Sequence, residues 1–350
     1  MSSAEHEMFR HAYAQQRIRE AVGAEPAVAN LVVRRRDTVP NGYSNITELF
    51  DATWEENGER RERAFVVRGC VPGRELFFET PLRRQWEMMA AVAERSEVPV
   101  PELFHLHDGD VETGGDLFLM AAVPGRVPRN GTPSYHAEGW VADLQPAERE
   151  RLAGNAIQQL VRIHALDWEK HLTFLHRPDR GPDGLSQFLT YQEEWYRWAA
   201  KGRAFREVEE GLAWLRAHQP GTTRTCVTWG DARVGNMIFA DDLSVAAVLD
   251  WEMAALGCPE MDVAWWWMFE ELFTAGTTPL KGIPDRQRLI EEYQETSGYE
   301  LHDLHYYDVL AWVRMIITCI RMMCPEPGDD VSALEMPFQM RLRELLTARP

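Results

Sequence analysis

The alternation of apolar and polar positions divides the chain into a strand-rich first third and a helix-rich remainder. Met8, Tyr13, Ile18 and Val22 recur among charged residues, a spacing that predicts an amphipathic helix over roughly the first twenty residues. Val32-Val33 and Thr38-Val39 predict a strand. Ile46 to Trp54 and Ala64 to Gly69 then bracket the turn Glu56-Asn57-Gly58-Glu59, an antiparallel hairpin signature. Leu82, Trp86, Met89 and Val92-Ala93 put one apolar side on a helix over 81–94. The unbroken run Leu117 to Val123 reads as a buried strand, ended by Pro124-Gly125. Beyond that break the pattern is helical: 146–166 with Leu152, Ala156, Leu160, Ile163 and Ala165, then 185–200 and 205–217. Two short β-prone runs, Thr225 to Trp229 and Val245 to Leu249, interrupt it. The expected architecture is α+β, with a boundary near Val123 that separates residues 1–123 from 124–350.

Composition narrows the function classes. The 350 residues are 45% hydrophobic and 26% charged, enough for a sizeable core in two lobes or domains. A formal net charge of −18 argues against a nucleic-acid partner, because phosphate backbones attract basic faces. Cys70, Cys226, Cys258, Cys319 and Cys324 are odd in number and form no C-x-x-C pair, so neither a disulfide framework nor a zinc site is expected. No basic segment followed by an apolar run opens the sequence, and the apolar run from Val309 to Cys324 is interrupted by Arg314 and Arg321 and too short for a bilayer. These features predict a cytoplasmic protein with no membrane partner, a monomer or homodimer.

The chemistry concentrates between Thr228 and Glu252. Asp231 and Asn236 stand as D-x-x-x-x-N just after a β-prone run, and Asp250 ends the next strand. That order matches phosphoryl-transfer kinases: a carboxylate to orient a substrate hydroxyl and take its proton, then two hard oxygen ligands for magnesium. The spacing alone is equally that of hairpin turns with a strand-end cap. Elsewhere, His164 has no nucleophile or metal partner in the sequence and reads as a structural hydrogen-bonding group. The run Trp265-Trp266-Trp267 could wall a cationic ligand, but three consecutive residues cannot share one helix face.

The segment resembles the motifs of the aminoglycoside phosphotransferase/choline kinase family, H-G-D-x-x-x-x-N followed by I-D-W-E. Gly230, Asp231, Asn236, Asp250, Trp251 and Glu252 match, whereas Trp229 stands where the family has His. Gly257, Pro259, Asp262 and Ala264 match the family's G-x-P-x-x-D-L-A, and QQLVRIHALDW resembles its L-x-x-I-H-x-x-D-W. The chain is most similar to the bacterial branch related to kinase-like domains fused to acyl-CoA dehydrogenases. The resemblance implies a bilobal protein-kinase-like fold, a small antiparallel-sheet lobe and a mainly helical lobe carrying the catalytic hairpin in the cleft, with ATP and Mg2+ as cofactors.

The resemblance also implies roles for individual residues. Asp231 would be the catalytic carboxylate, with Arg233 either neutralising charge on the transferring phosphoryl or pairing with an acidic neighbour. Asn236 and Asp250 would hold the metal. Gly42, Tyr43, Ser44 and Asn45 would form the loop over the phosphates, which by sequence alone is equally an Asn-Gly hairpin turn. Arg68 would anchor the phosphates, since a guanidinium can make the bidentate contact. Backbone groups from Met120 and Ala121 to Val123 would meet the adenine edge. The family's glutamate partner for the phosphate-binding cation falls at Gln85, and Glu87 or Glu79 could replace it only with a shifted register. The expected function is ATP- and magnesium-dependent phosphorylation of a small-molecule hydroxyl: an aminoglycoside-like compound, an amino alcohol or a hydroxyacyl compound. A catalytically silent kinase-like module that binds nucleotide or a partner is the alternative, motivated by Trp229 and Gln85.

Overall fold

The computed structural model describes residues 3–23, 28–36, 45–70, 75–79, 82–109, 116–221, 223–329 and 337–348. The expected phosphate-loop residues Gly42, Tyr43 and Ser44, and the strand expected at Thr38-Val39, lie outside them. The chain divides into two compact units, Met1–Glu94 with Pro99–Pro124, and Arg95–Val98 with Gly125–Pro350.

In the first unit, helix α1 (Ser3–Gly23) precedes strands β1 (Val28–Arg35), β2 (Asn45–Glu56) and β3 (Glu59–Cys70), helix α2 (Leu82–Arg95), and strands β4 (Leu103–His107) and β5 (Leu117–Ala121). The strands form one antiparallel sheet in the order β1-β2-β3-β5-β4. Its long hairpin turns at Asn57 (φ 53°) and Gly58 (φ 81°), the left-handed pair that a two-residue loop requires and that Asn-Gly supplies at low cost. Every residue of β5 is buried because the sheet is covered on both faces. Leu117 and Leu119 join Tyr13, Ala14 and Ile18 of α1 with Phe50, Phe65 and Val67 in one apolar cluster. Phe118 instead meets Trp86 of α2 edge-on, at 5.8 Å between ring centroids. Tyr13 ties α1 to β4 by donating its hydroxyl to the His105 carbonyl at 3.1 Å.

The second unit is mainly helical: α3 (Trp140–Asp143), α4 (Pro146–His164), α5 (Trp168–His171), α6 (Gly184–Ala200), α7 (Arg206–Ala217), α8 (Pro259–Thr274), α9 (Arg286–Ser297), α10 (Leu304–Met323) and α11 (Pro337–Thr347). Sequence signals place several ends. Pro146 opens α4, where its missing N–H costs nothing, and Glu148 reaches back to the Gln145 N–H at 2.8 Å. Asp183 and Asp285 cap α6 and α9 by accepting from Ser186 N–H (2.8 Å) and Arg288 N–H (2.9 Å). Between α7 and α8 lie β6 (Cys226–Thr228), β7 (Met237–Phe239), β8 (Val245–Val248) and β9 (Ala255–Gly257), paired β6 with β9 and β7 with β8. Among the described residues no helix is long and apolar enough to cross a membrane. The cysteines are free, and four of the five are buried.

Candidate active site

The second unit assembles Asp231, Arg233, Asn236 and Asp250 on two adjoining turns. β6 delivers the chain to Gly230, whose φ of 92° and close approach to the Met253 carbonyl (2.3 Å from an ideal Cβ) admit only glycine. Asp231 follows, 8% exposed. A single 3-10 turn, Val234–Asn236, then leads into β7. Met237 pairs with Val248, and the Leu249 N–H donates to the Asn236 carbonyl at 2.9 Å, so the hairpin register sets Asn236 beside the residue before Asp250. Asp250 itself adopts the left-handed conformation (φ 60°, ψ 60°), which is uncommon for a residue with a Cβ and recurs at functional turns.

Four N–H groups converge on the Asp231 carboxylate. Oδ1 accepts from Arg233 Nε (3.0 Å) and from the Trp265 indole Nε1 (2.8 Å); Oδ2 accepts from Arg233 Nη2 (2.7 Å) and Asn236 Nδ2 (2.6 Å). Burial alone would push this carboxyl up. The charge of Arg233, with the bonds from Arg233, Trp265 and Asn236, outweighs burial and holds the group below the usual carboxylate range. Asp231 is therefore an anion at neutral pH. Arg233 pairs with Asp231, an acidic neighbour; its guanidinium also lies 4.4 Å from the Phe269 ring centre and donates to Asn130.

Asn236 uses its amide nitrogen on Asp231, reaching both the backbone carbonyl (3.0 Å) and Oδ2, and thereby keeps its amide oxygen as a hard acceptor. No cluster of three or more His, Cys, Asp or Glu side chains suited to a metal exists among the described residues. One amide oxygen and one carboxylate nevertheless fit magnesium, which takes few protein ligands and fills its remaining positions with phosphate and water.

In the first unit, Arg68 sits half-buried on β3, opposite Thr47 and Phe118, while Asn45 begins β2 opposite Cys70, whose thiol donates to Asn45 Oδ1 at 3.6 Å. Met120 and Ala121 are buried in β5. The Ala121 N–H donates to the Glu102 carbonyl (2.8 Å) and the Ala122 N–H to the Ala64 carbonyl (3.0 Å), so the sheet already uses these two donors. Gln85 falls on the buried face of α2 with Leu82, Met89 and Val92, and Glu87 lies on the exposed side near Arg83. The register thus puts Gln85, not Glu87, at the inward position.

A family model described as phosphotransferase enzyme family, APH, matches residues 50–300. The chain belongs to this phosphotransferase family. Acyl-CoA dehydrogenase family member 10 of Mus musculus is 31% identical over 205 residues, 58% of this chain but 18% of that protein. Acyl-CoA dehydrogenase family member 11 of Homo sapiens is 24% identical over 72% of this chain and 32% of its own length. The chain thus spans less than about a third of these relatives. Among solved structures, a candidate aminoglycoside phosphotransferase of Ralstonia eutropha superposes with a TM-score of 0.64 at 22% identity, covering 97% of this chain and 95% of that one. A macrolide 2'-phosphotransferase type I gives 0.57 at 13% identity, covering 100% and 99%. The fold is accordingly the kinase-like α+β fold of the phosphotransferases.

The structure also shows how this phosphotransferase accommodates its departure from the family motif. Trp229, in the position of the usual histidine, is fully buried and donates its indole N–H to the Leu249 carbonyl at 2.9 Å, linking the two motif turns directly. Asp262 accepts from the backbone N–H groups of Trp229 (2.6 Å) and Gly230 (2.9 Å). His164 bridges Asp262 (3.0 Å) and the Tyr293 hydroxyl (2.7 Å), a buried structural relay. Sequence reasoning missed three contributors to the site, Trp265 as a donor, Arg314 and Asn130. None has a local spacing signal, because each reaches the catalytic turn from a distant segment of the phosphotransferase chain.

Proposed function

We propose that this phosphotransferase transfers the γ-phosphoryl group of ATP, as its magnesium complex, to a hydroxyl of a small molecule. The observation that carries the reading is the Asp231 carboxylate, buried, ionised and fixed by three side chains, two from its own turn and one from helix α8. In the reaction the substrate hydroxyl oxygen bonds to the γ-phosphorus, the bond to the bridging oxygen breaks, ADP leaves, and the hydroxyl proton passes to Asp231. A carboxylate held below the usual range is a weak base. Its main work is to aim the hydroxyl, with proton acceptance late, as suits a loose phosphoryl-transfer transition state.

The protein's part in metal binding falls to Asn236 through its amide oxygen and to Asp250 through its carboxylate. Magnesium, when bound, supplies neutralisation of phosphate charge. Arg233 would have to release Asp231 when a hydroxyl takes a place on the carboxylate, and its guanidinium, 15% exposed at the side chain, is the most accessible of the donors to lie against the phosphoryl oxygens. Solved neighbours support nucleotide use: one is an aminoglycoside 2'-phosphotransferase bound to GDP and another an aminoglycoside phosphotransferase with AMP-PNP and hygromycin B. The curated relatives are named acyl-CoA dehydrogenases, beside which a hydroxyacyl acceptor would fit, and the structural neighbours are named aminoglycoside and macrolide phosphotransferases, beside which an aminoglycoside or macrolide would. Arg68 and Asn45, with Gly42, Tyr43 and Ser44, remain the proposed phosphate contacts, and Val123 the proposed backbone donor to adenine.

The test is magnesium-dependent ADP release by the purified protein against aminoglycosides, macrolides, amino alcohols, hydroxyacyl-CoAs and sugars. Stimulation by one class identifies the acceptor; silence across all classes contradicts the reading.

A further inference from the structure

Trp265 belongs to helix α8, and among the described residues its indole N–H is the one donor on Asp231 contributed from outside the catalytic turn. It is 2% exposed. Behind it, Arg314 of helix α10 lays its guanidinium 4.0 Å from the Trp265 ring centre and 5.4 Å from that of Phe188. Arg314 has no carboxylate partner among the described residues. Its Nη2 donates to the Gly230 carbonyl at 2.6 Å and lies 3.4 Å from the Met253 sulfur, while its Nε has no partner among the described residues. Burial pulls this guanidinium down to about 10, still protonated at neutral pH. A fully buried cation whose only strong bond reaches the residue before Asp231 and whose face covers the indole is an unusual use of an arginine in a core.

We infer that Trp265, backed by Arg314, is a positioning residue that locks the orientation of the Asp231 carboxylate for phosphoryl transfer. The inference rests on the phosphotransfer reading of Asp231 given above. With Trp265 held on Oδ1 and Asn236 on Oδ2, the carboxylate cannot turn about its Cβ–Cγ bond without breaking two buried bonds. Arg233 is then the donor that can depart, and the place it leaves is where the hydroxyl must arrive. Trp265 thereby selects which acceptor position on Asp231 serves the substrate. Its neighbour Trp266 is just as buried and makes no bond to the carboxylate, so the assignment is to the indole nitrogen rather than to bulk.

Trp265→Phe keeps an aromatic ring and removes the N–H. The expected result is a kcat lower by about tenfold to a hundredfold, the range for a misaimed reacting group. KM for ATP should stay within about twofold, because the lost bond aims the carboxylate and does not hold the nucleotide. Arg314→Met, which leaves the indole N–H in place, should give a smaller loss of the same kind, and it decides the matter if Trp265→Phe does not fold. A folded Trp265→Phe protein with near-wild-type kcat would overturn the inference, as would a loss matched only by a lower melting temperature. A second reading needs no turnover: in the nucleotide-free protein the indole ¹H–¹⁵N resonance absent from Trp265→Phe should shift in Asp231→Asn, and no shift means no bond. Wild-type protein silent with every acceptor, yet showing that shift, would refute the phosphotransfer reading and with it the positioning role, although the bond itself would stand.

Discussion

The catalytic turn and helix α2 treat buried polar groups in opposite ways. Around Asp231 the buried carboxylates are matched: Asp262 takes the Trp229 and Gly230 N–H groups, and four donors meet the Asp231 carboxylate, while Trp229 reaches Leu249. On α2, Gln85 is 3% exposed and its Oε1 has no partner among the described residues. The first arrangement is organised before any ligand arrives, which is what transition-state stabilisation by fixed dipoles requires. The second carries an unmet hydrogen-bond demand, at the position where relatives of the family would place a charged group. Preorganisation is therefore concentrated on the turn that holds Asp231, the residue proposed to act on the hydroxyl.

The largest expected effect comes from breaking the matched side. Asp262→Ala strands two buried backbone donors and His164, so chemical denaturation should show a loss on the order of 3–5 kcal/mol. Little change would mean that water or a neighbour replaces the carboxylate and that the clamp is not structural.

Arg233→Met should cost less, about 1–3 kcal/mol at neutral pH, because Asp231 keeps its bonds to Trp265 and Asn236. The folded carboxyl is depressed in the wild type, so its contribution is present above the unfolded value near about 4 and lost as pH falls through the lower folded value. The stability gap between variant and wild type should accordingly shrink as pH drops below about 4. A gap independent of pH would assign the loss to packing against Phe269 instead.

On the unmatched side, Gln85→Leu replaces a buried amide with an unmet acceptor by an apolar group of similar size. Melting experiments should find it neutral or more stable by up to about 1 kcal/mol. A clear destabilisation would show that Gln85 makes a bond needed by the fold.

Much of this contrast was legible in the sequence, and the illegible part has a physical reason. The hairpin at Asn57-Gly58, the Pro146 start of α4 and the order Asp231, Asn236, Asp250 are local signals, each set by residues within a few positions. The inward place of Gln85 also follows from helical periodicity. The distant groups do not: Trp265, a donor to Asp231, lies on the next helix and Arg314, a donor to the Gly230 carbonyl, on α10, brought together by packing that no spacing encodes. Arg314 in the sequence reads as a charge breaking an apolar run, whereas in the structure it is buried between Trp265 and Phe188. The cation over Trp265 is this internal arginine. The phosphate loop at Gly42 to Ser44 lies outside the described residues.

Whether Asp231 aims a substrate hydroxyl is decided by the rate of phosphoryl transfer in Asp231→Asn beside wild type, with the acceptor that stimulates ADP release. The asparagine keeps the shape and loses the negative charge. kcat should fall by about 10²–10⁴-fold in a protein that melts cooperatively and still binds ATP; turnover of the asparagine variant at the wild-type rate would rule out that role for Asp231.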